Sequence, residues 1–366
     1  MEAIGSNQYV NLNLSIIDSV SDNSYVSYFM TTNDTIDNAF EKNLISAETA
    51  SLLKEYNERL RQNNVPIIYN LRHLRKIFNI KKKDQNKYFG SKRNEYYHFT
   101  IPKKSGGVRD IEAPSDTLKS FQTWIKNNIL EKMKISENAK GFKRSCSILD
   151  NAREHVGKEL VINIDLKDFF PSITYKKVFS LFYYLGYTKE VCHLLTQICT
   201  NKANVLPQGS PASPIISNII TLKLDKRLNN LAAKYNCTYT RYADDMTFSG
   251  NKNIRIILPV IQEIITDEGF TINLDKLRLQ YKFQRQEVTG LIVNTKVSIP
   301  HSLTNEIKNA IYFCKKLGVE IHMKNIDCSR SFYKEHLYGI AYFIKMIDAE
   351  KGKHYLHQLN EIEWPY

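Results

Sequence analysis

Three aspartates in this sequence stand where strand geometry can gather them. Asp165 closes the apolar run Leu160 to Ile164, which reads as a buried strand ending in a carboxylate. Asp244 and Asp245 lie between CTYTRYA and MTFSG, aromatic and β-branched stretches that predict a hairpin with the acidic pair at its tip. Side by side in one sheet, these strands bring three carboxylates together. Mg²⁺ keeps several waters and needs only one or two carboxylates per ion, substrate phosphates completing the set. Two such ions about 3.5–4 Å apart activate an attacking hydroxyl and clamp a triphosphate, so the trio suits phosphoryl transfer from a nucleotide. An Asp-Asp pair alone is more often a polar turn, and its meaning depends on what surrounds it.

The elements that must position these groups follow from pattern and punctuation. A helical pattern runs from Ile36 to Asn63 after a leader rich in Asn, Ser and Asp. EYYHFTIPKKSGGVRDIE predicts a hairpin turning at Gly106-Gly107, with Lys103, Lys104 and Arg109 crowding its tip. Helices are predicted at about Thr117 to Lys134, around Val191 to Ile198, and from Ile215 to Leu231, with the extended loop LPQGSPASP before the last. Another helix runs from Pro259 to Glu268 and stops at Gly269. VTGLIVNTKVSIP predicts a further short hairpin. Two closing helices, Thr304 to Leu317 and Ser331 to Lys351, interleave lysines with Tyr312, Phe313, Tyr338 and Tyr342.

Composition narrows the class. The 366 residues exceed one ordinary domain, and 42% hydrophobic with 24% charged residues is a folding composition. Lys and Arg total 51 against 38 Asp and Glu, a net +13 that favours a polyanionic partner, nucleic acid first. No run is long and apolar enough for a membrane span and no secretion signal opens the chain, so a cytoplasmic protein without membrane partners is expected. The six cysteines form no C-x-x-C pair and no zinc-finger spacing, and read as reduced thiols.

IPKKSGGVRDI, NIDLKDFFPSI, LPQGSPASPIISN, RYADDMTFSG, NLDK and VTGLIVN, in that order over about residues 70 to 300, together resemble the successive motifs of reverse transcriptases. NAREH at Asn151 to His155 resembles the NAxxH element, and Val288-Thr289-Gly290 the VTG element, of the bacterial retron branch. The resemblance implies an α+β right-hand polymerase fold. Its expected divisions are an N-terminal leader and helix at 1–64, fingers at 65–160, a palm around an antiparallel sheet at 161–300 with a fingers insertion around 172–215, and a helical thumb at 301–366.

It also implies roles, position by position. Asp165, Asp244 and Asp245 become the catalytic carboxylates holding two Mg²⁺ ions. Lys103 or Lys104 with Arg109 would grip the incoming triphosphate, a point charge and a bidentate fork in combination, and the Leu166 backbone would support it. Phe170 resembles the aromatic steric gate that selects dNTPs over NTPs. Gln208 resembles the glutamine near the dNTP sugar and template base, and Lys276 the palm lysine that serves the pyrophosphate leaving group. Asn151 and His155, four apart and so on one helical face, with Val288, Thr289 and Gly290, would contact RNA, the glycine allowing close backbone approach.

The expected activity is RNA-directed DNA synthesis on a cognate structured non-coding RNA. Synthesis would be primed from a guanosine 2′-OH to give branched multicopy single-stranded DNA, acting with an accessory effector in anti-phage defence. The chain ends soon after the thumb, so template removal is expected from a host RNase H. The alternatives are a group II intron-like or other defence-associated reverse transcriptase, against which NAREH and VTG speak, and a non-catalytic RNA-binding module, against which the intact trio speaks.

Overall fold

The computed structural model describes residues 33–90, 95–102, 106–328 and 330–365. The chain divides into two compact units: residues up to Ser136 with Asp168–Lys223, and Glu137–Lys167 with Leu224–Tyr366.

In the first unit the helical pattern after Ile36 resolves into two helices, Asn33–Glu41 and Ala47–Gln62. Periodicity carries no mark of the break, but chemistry does: Ser46 caps the second helix by accepting the Thr49 N–H. That helix buries Leu53, Tyr56 and Leu60. Strands β1 (Tyr96–Pro102) and β2 (Val108–Pro114) form the expected hairpin, with Gly106 and Gly107 at φ 87° and 77°. The next helix, Asp116–Asn128, is capped by Ser115 and gives way to a 3₁₀ turn at Leu130–Lys132, short of the expected Lys134. Its fully buried Gln122 donates to Tyr96 Oη at 2.7 Å and to the Ile198 carbonyl at 2.9 Å, tying β1 to the helix Lys189–Cys199. Helix Tyr175–Tyr184 follows the turn after Phe170 and buries Val178, Leu181 and Phe182.

The second unit is built on a four-stranded antiparallel sheet of order β4-β5-β3-β6, where β3 is Leu160–Asp165, β4 Thr238–Tyr242, β5 Asp245–Gly250 and β6 Arg278–Tyr281. Along β3 and β5, Leu160, Ile162, Ile164, Met246 and Phe248 are buried on one face by period-2 alternation. A small hairpin, β7 (Glu287–Val288) and β8 (Leu291–Ile292), shares a core of Val161, Val288, Leu291 and Val293 with Leu149 and Ala152. Four helices close the chain, His301–Leu317, Val319–Asn325, Tyr333–Ile347 and Ala349–Asn360, where two were expected. Gly318 at φ 82° ends the first and the Asp348 side chain caps the last.

Residues 137–160 belong with this sheet and not with the first unit. The cause is backbone pairing at the β4 edge: Arg241 N donates to the Asn138 carbonyl at 2.8 Å and Lys140 N to the Arg241 carbonyl at 2.7 Å. Among the described residues no helix is long and apolar enough to cross a membrane.

Candidate active site

Antiparallel pairing of β3 with β5 sets Asp165 directly opposite Asp245, and directly opposed residues project from the same face. Asp245 is therefore a strand residue. The two-residue turn joining β4 to β5 is Ala243-Asp244, one position earlier than the acidic tip expected from sequence, because Tyr242 pairs with Asp245. The turn is fastened to β3's end by the Leu166 N–H, which donates to the Asp244 carbonyl at 3.1 Å. One sheet thus gathers the three carboxylates.

Lys276 and Asn273 close the site from the segment before β6. Lys276 Nζ donates to Asp165 Oδ1 at 2.9 Å, and that bond holds its ammonium above the ordinary lysine range. Asn273 donates to Asp165 twice, from its backbone N to the carbonyl at 2.8 Å and from Nδ2 to Oδ2 at 3.3 Å. Asn273 was passed over in the sequence although it heads the same NLDK motif. Asp245 opens to solvent, yet crowding desolvates its carboxylate and the charges of Asp244 and Asp165 add to the effect, raising it to about 6. Three hard-oxygen donors with a surplus of negative charge fit a divalent cation. Among the described residues no three His, Cys, Asp or Glu side chains close on one point as a cage, so much of any coordination would come from water and phosphate, as Mg²⁺ accepts.

The expected triphosphate and sugar contacts lie in the first unit. Arg109 is exposed on β2 beside the hairpin turn, opposite Ile101; Lys103 and Lys104 fall outside the described residues. Phe170 is half-buried, its ring 5.4 Å from that of buried Phe169. The Gln208 carbonyl accepts the Glu112 N–H at 2.8 Å, and Gly209 follows at φ 137° where a Cβ would stand 2.6 Å from the Glu112 oxygen. Only glycine lets this loop lie on β2. Leu166, in the second unit, is buried.

The residues expected from NAREH and VTG to contact RNA lie as follows. Asn151, His155 and Val288 are buried. His155 Nδ1 lies 2.7 Å from Ser249 Oγ and Nε2 2.7 Å from Thr240 Oγ1; burial lowers it to about 3, so the imidazole is neutral and braces β4 and β5. Asn151 Nδ2 donates to Thr289 Oγ1 at 3.4 Å, so two motifs far apart in the chain meet. Thr289 at φ 47° and Gly290 at φ 81° form the β7–β8 turn. No described atom lies within 4 Å of where a Gly290 Cβ would stand, so it is positive φ, not close packing within the protein, that calls for glycine there.

A family model described as "Reverse transcriptase (RNA-dependent DNA polymerase)" matches residues 101–323. The retron Ec86 reverse transcriptase of Escherichia coli is 34% identical over 313 residues, covering 84% of this chain and 94% of that protein. The retron Mx162 reverse transcriptase of Myxococcus xanthus is 36% identical over 303 residues, covering 73% and 61%. The retron Mx65 reverse transcriptase of the same organism is 33% identical, covering 70% and 62%. The chain thus spans under two thirds of the two Myxococcus proteins and nearly all of the E. coli one. Among solved structures, telomerase from Candida albicans with a fragment of telomeric RNA aligns at TM-score 0.42 and 14% identity over 71% of this chain and 54% of that one.

Proposed function

This chain belongs to the retron reverse transcriptases, a family of RNA-directed DNA polymerases, and from that premise we propose that it copies a cognate structured non-coding RNA into DNA primed from a guanosine 2′-OH of that RNA. The observation that carries the reading is Asp165 facing Asp245 across β3 and β5, with Asp244 in the adjoining turn. The product is a branched RNA-linked single-stranded DNA, its template trimmed by a host RNase H. In the cytoplasm the ribonucleoprotein acts with an accessory effector in anti-phage defence. In this reading the β1–β2 hairpin unit is the fingers, the four-stranded sheet the palm, and the four closing helices the thumb.

Two Mg²⁺ ions, held by Asp165, Asp244 and Asp245, would supply activation of the attacking hydroxyl and neutralisation of the triphosphate. The chain's own groups do the rest. Arg109, with Lys103 or Lys104, grips the triphosphate through charge-assisted hydrogen bonds, while the Leu166 backbone and Gln208 orient the nucleotide. Phe170 fills the space a ribose 2′-OH would need. Lys276, protonated and resting on Asp165, delivers charge or a proton to the departing pyrophosphate. Thr289 and Gly290, at the β7–β8 turn, are the elements of VTG left to meet RNA.

Primer extension on an RNA template tests the reading. The wild type should incorporate dNTPs with Mg²⁺ and reject NTPs, and Asp165→Asn should remove incorporation while leaving RNA binding intact. RNA binding by a wild type that incorporates nothing would favour the non-catalytic module.

A further inference from the structure

Asp225 and Arg241 form an ion pair from which solvent is entirely excluded. Arg241 Nε donates to Asp225 Oδ1 at 2.8 Å and Nη2 to Oδ2 at 2.7 Å, and Tyr239 Oη donates to the same carboxylate at 2.8 Å. For stability alone, well-packed apolar side chains of similar volume serve as well or better than such a pair. What apolar residues cannot do is donate, and the guanidinium has a donor to spare: Arg241 Nη1 reaches the Ala243 carbonyl at 3.0 Å. Ala243 precedes Asp244 and sits at φ 59°, a left-handed conformation that an L-residue with a Cβ adopts only where its surroundings enforce it. Gly141 closes the turn from behind, for a Cβ there would stand 2.6 Å from Ala243 N.

We propose that the Asp225–Arg241 pair is a positioning device that holds Ala243 in its left-handed conformation and so fixes where the Asp244 and Asp245 carboxylates stand. This rests on the reading of those aspartates as catalytic. Asp225 is the anchor, Arg241 the arm, and Gly141 the clearance that lets the turn seat. Neither ion-pair member touches substrate; both act through the turn.

Single neutralisations would strand a buried charge and report only on folding. The informative variant removes the polar group as a unit: Asp225→Leu, Arg241→Met and Tyr239→Phe together, in the full-length protein. Two more probe the turn separately. Arg241→Lys keeps the charge, but one ammonium lacks the fork that serves both Asp225 and Ala243; Gly141→Ala presses on the turn from outside the pair. Each is assayed for cooperative melting and for dTTP incorporation on poly(rA) primed with oligo(dT), beside the wild type and Asp244→Asn. The triple variant should melt cooperatively, with kcat down by about 100-fold, the scale of a small misplacement of reacting groups, and KM for dTTP little changed. Arg241→Lys and Gly141→Ala should lose kcat in the same sense. Wild-type kcat in a folded triple variant overturns the proposal; should the triple variant not fold, wild-type kcat in the other two does so. An active Asp244→Asn would instead overturn the catalytic reading of the turn.

Discussion

At the scale of the residue, Asp244 and Asp245 have separate consequences. Asp244→Asn removes a turn carboxylate and should cut dNTP incorporation by at least about 10³-fold in a steady-state assay, with the melting temperature essentially unchanged. Asp245 should show itself through pH. Its carboxyl stands at about 6 in the fold against 3.8 for the unperturbed group, so between those values the folded chain holds a proton the unfolded chain has released. Stability therefore declines as pH rises through this window, and the cost is complete above it. In metal-free buffer Asp245→Asn should melt a few degrees higher than wild type at pH 8 and the same below pH 3.8; equal melting at pH 8 would show that the carboxylate is not crowded. His155 works in the opposite direction, since its depressed pKa makes acid destabilising below 6.5. Phe170→Ala should narrow dNTP over NTP discrimination, read as the ratio of the two kcat/KM values, and an unchanged ratio would remove the gate. The meeting of Asp165 and Asp245 was legible because an apolar run ending in a carboxylate and a hairpin carrying one are local signals that a sheet can set side by side. The inward role of Asn151 and His155 was not, because the helix ends at Arg153, so His155 lies beyond it and the expected shared helical face does not form.

At the scale of the element, the hairpins and β3 were legible because glycine pairs and apolar runs are local signals, whereas helix breaks were not. Ser46 and Asp348 interrupt continuous hydrophobic patterns with caps that leave the period intact. The acidic hairpin was misread by one residue because register belongs to strand pairing: Tyr242 against Asp245 moves Asp245 out of the turn. One close approach invites a test. Gly352 lies where a Cβ would stand 2.3 Å from Lys345 Cα, so helices Tyr333–Ile347 and Ala349–Asn360 approach backbone to backbone there. Gly352→Ala should separate them and cost about 1–3 kcal/mol, the usual toll of overpacking. Calorimetry should register a lower melting temperature; an unaltered melt would mean that the two helices part without penalty.

At the scale of the whole molecule, the net +13 charge favours a polyanionic partner. RNA affinity should accordingly fall steeply with added salt, as counterion release requires. The unit division at Ser136 was illegible because it depends on residues 138–141 joining the β4 edge, a pairing with no local sequence signal. The central claim is that the Asp165, Asp244 and Asp245 carboxylates write DNA from an RNA to which that DNA stays joined. Its most direct test is to purify the protein from cells carrying its native locus, extract the bound nucleic acid, and divide it among RNase, DNase and 2′,5′-debranching treatments, with Asp244→Asn alongside. A single-stranded DNA that shifts on debranching and is missing from Asp244→Asn is the predicted result; RNA alone in both samples, or DNA that debranching leaves unmoved, would contradict it.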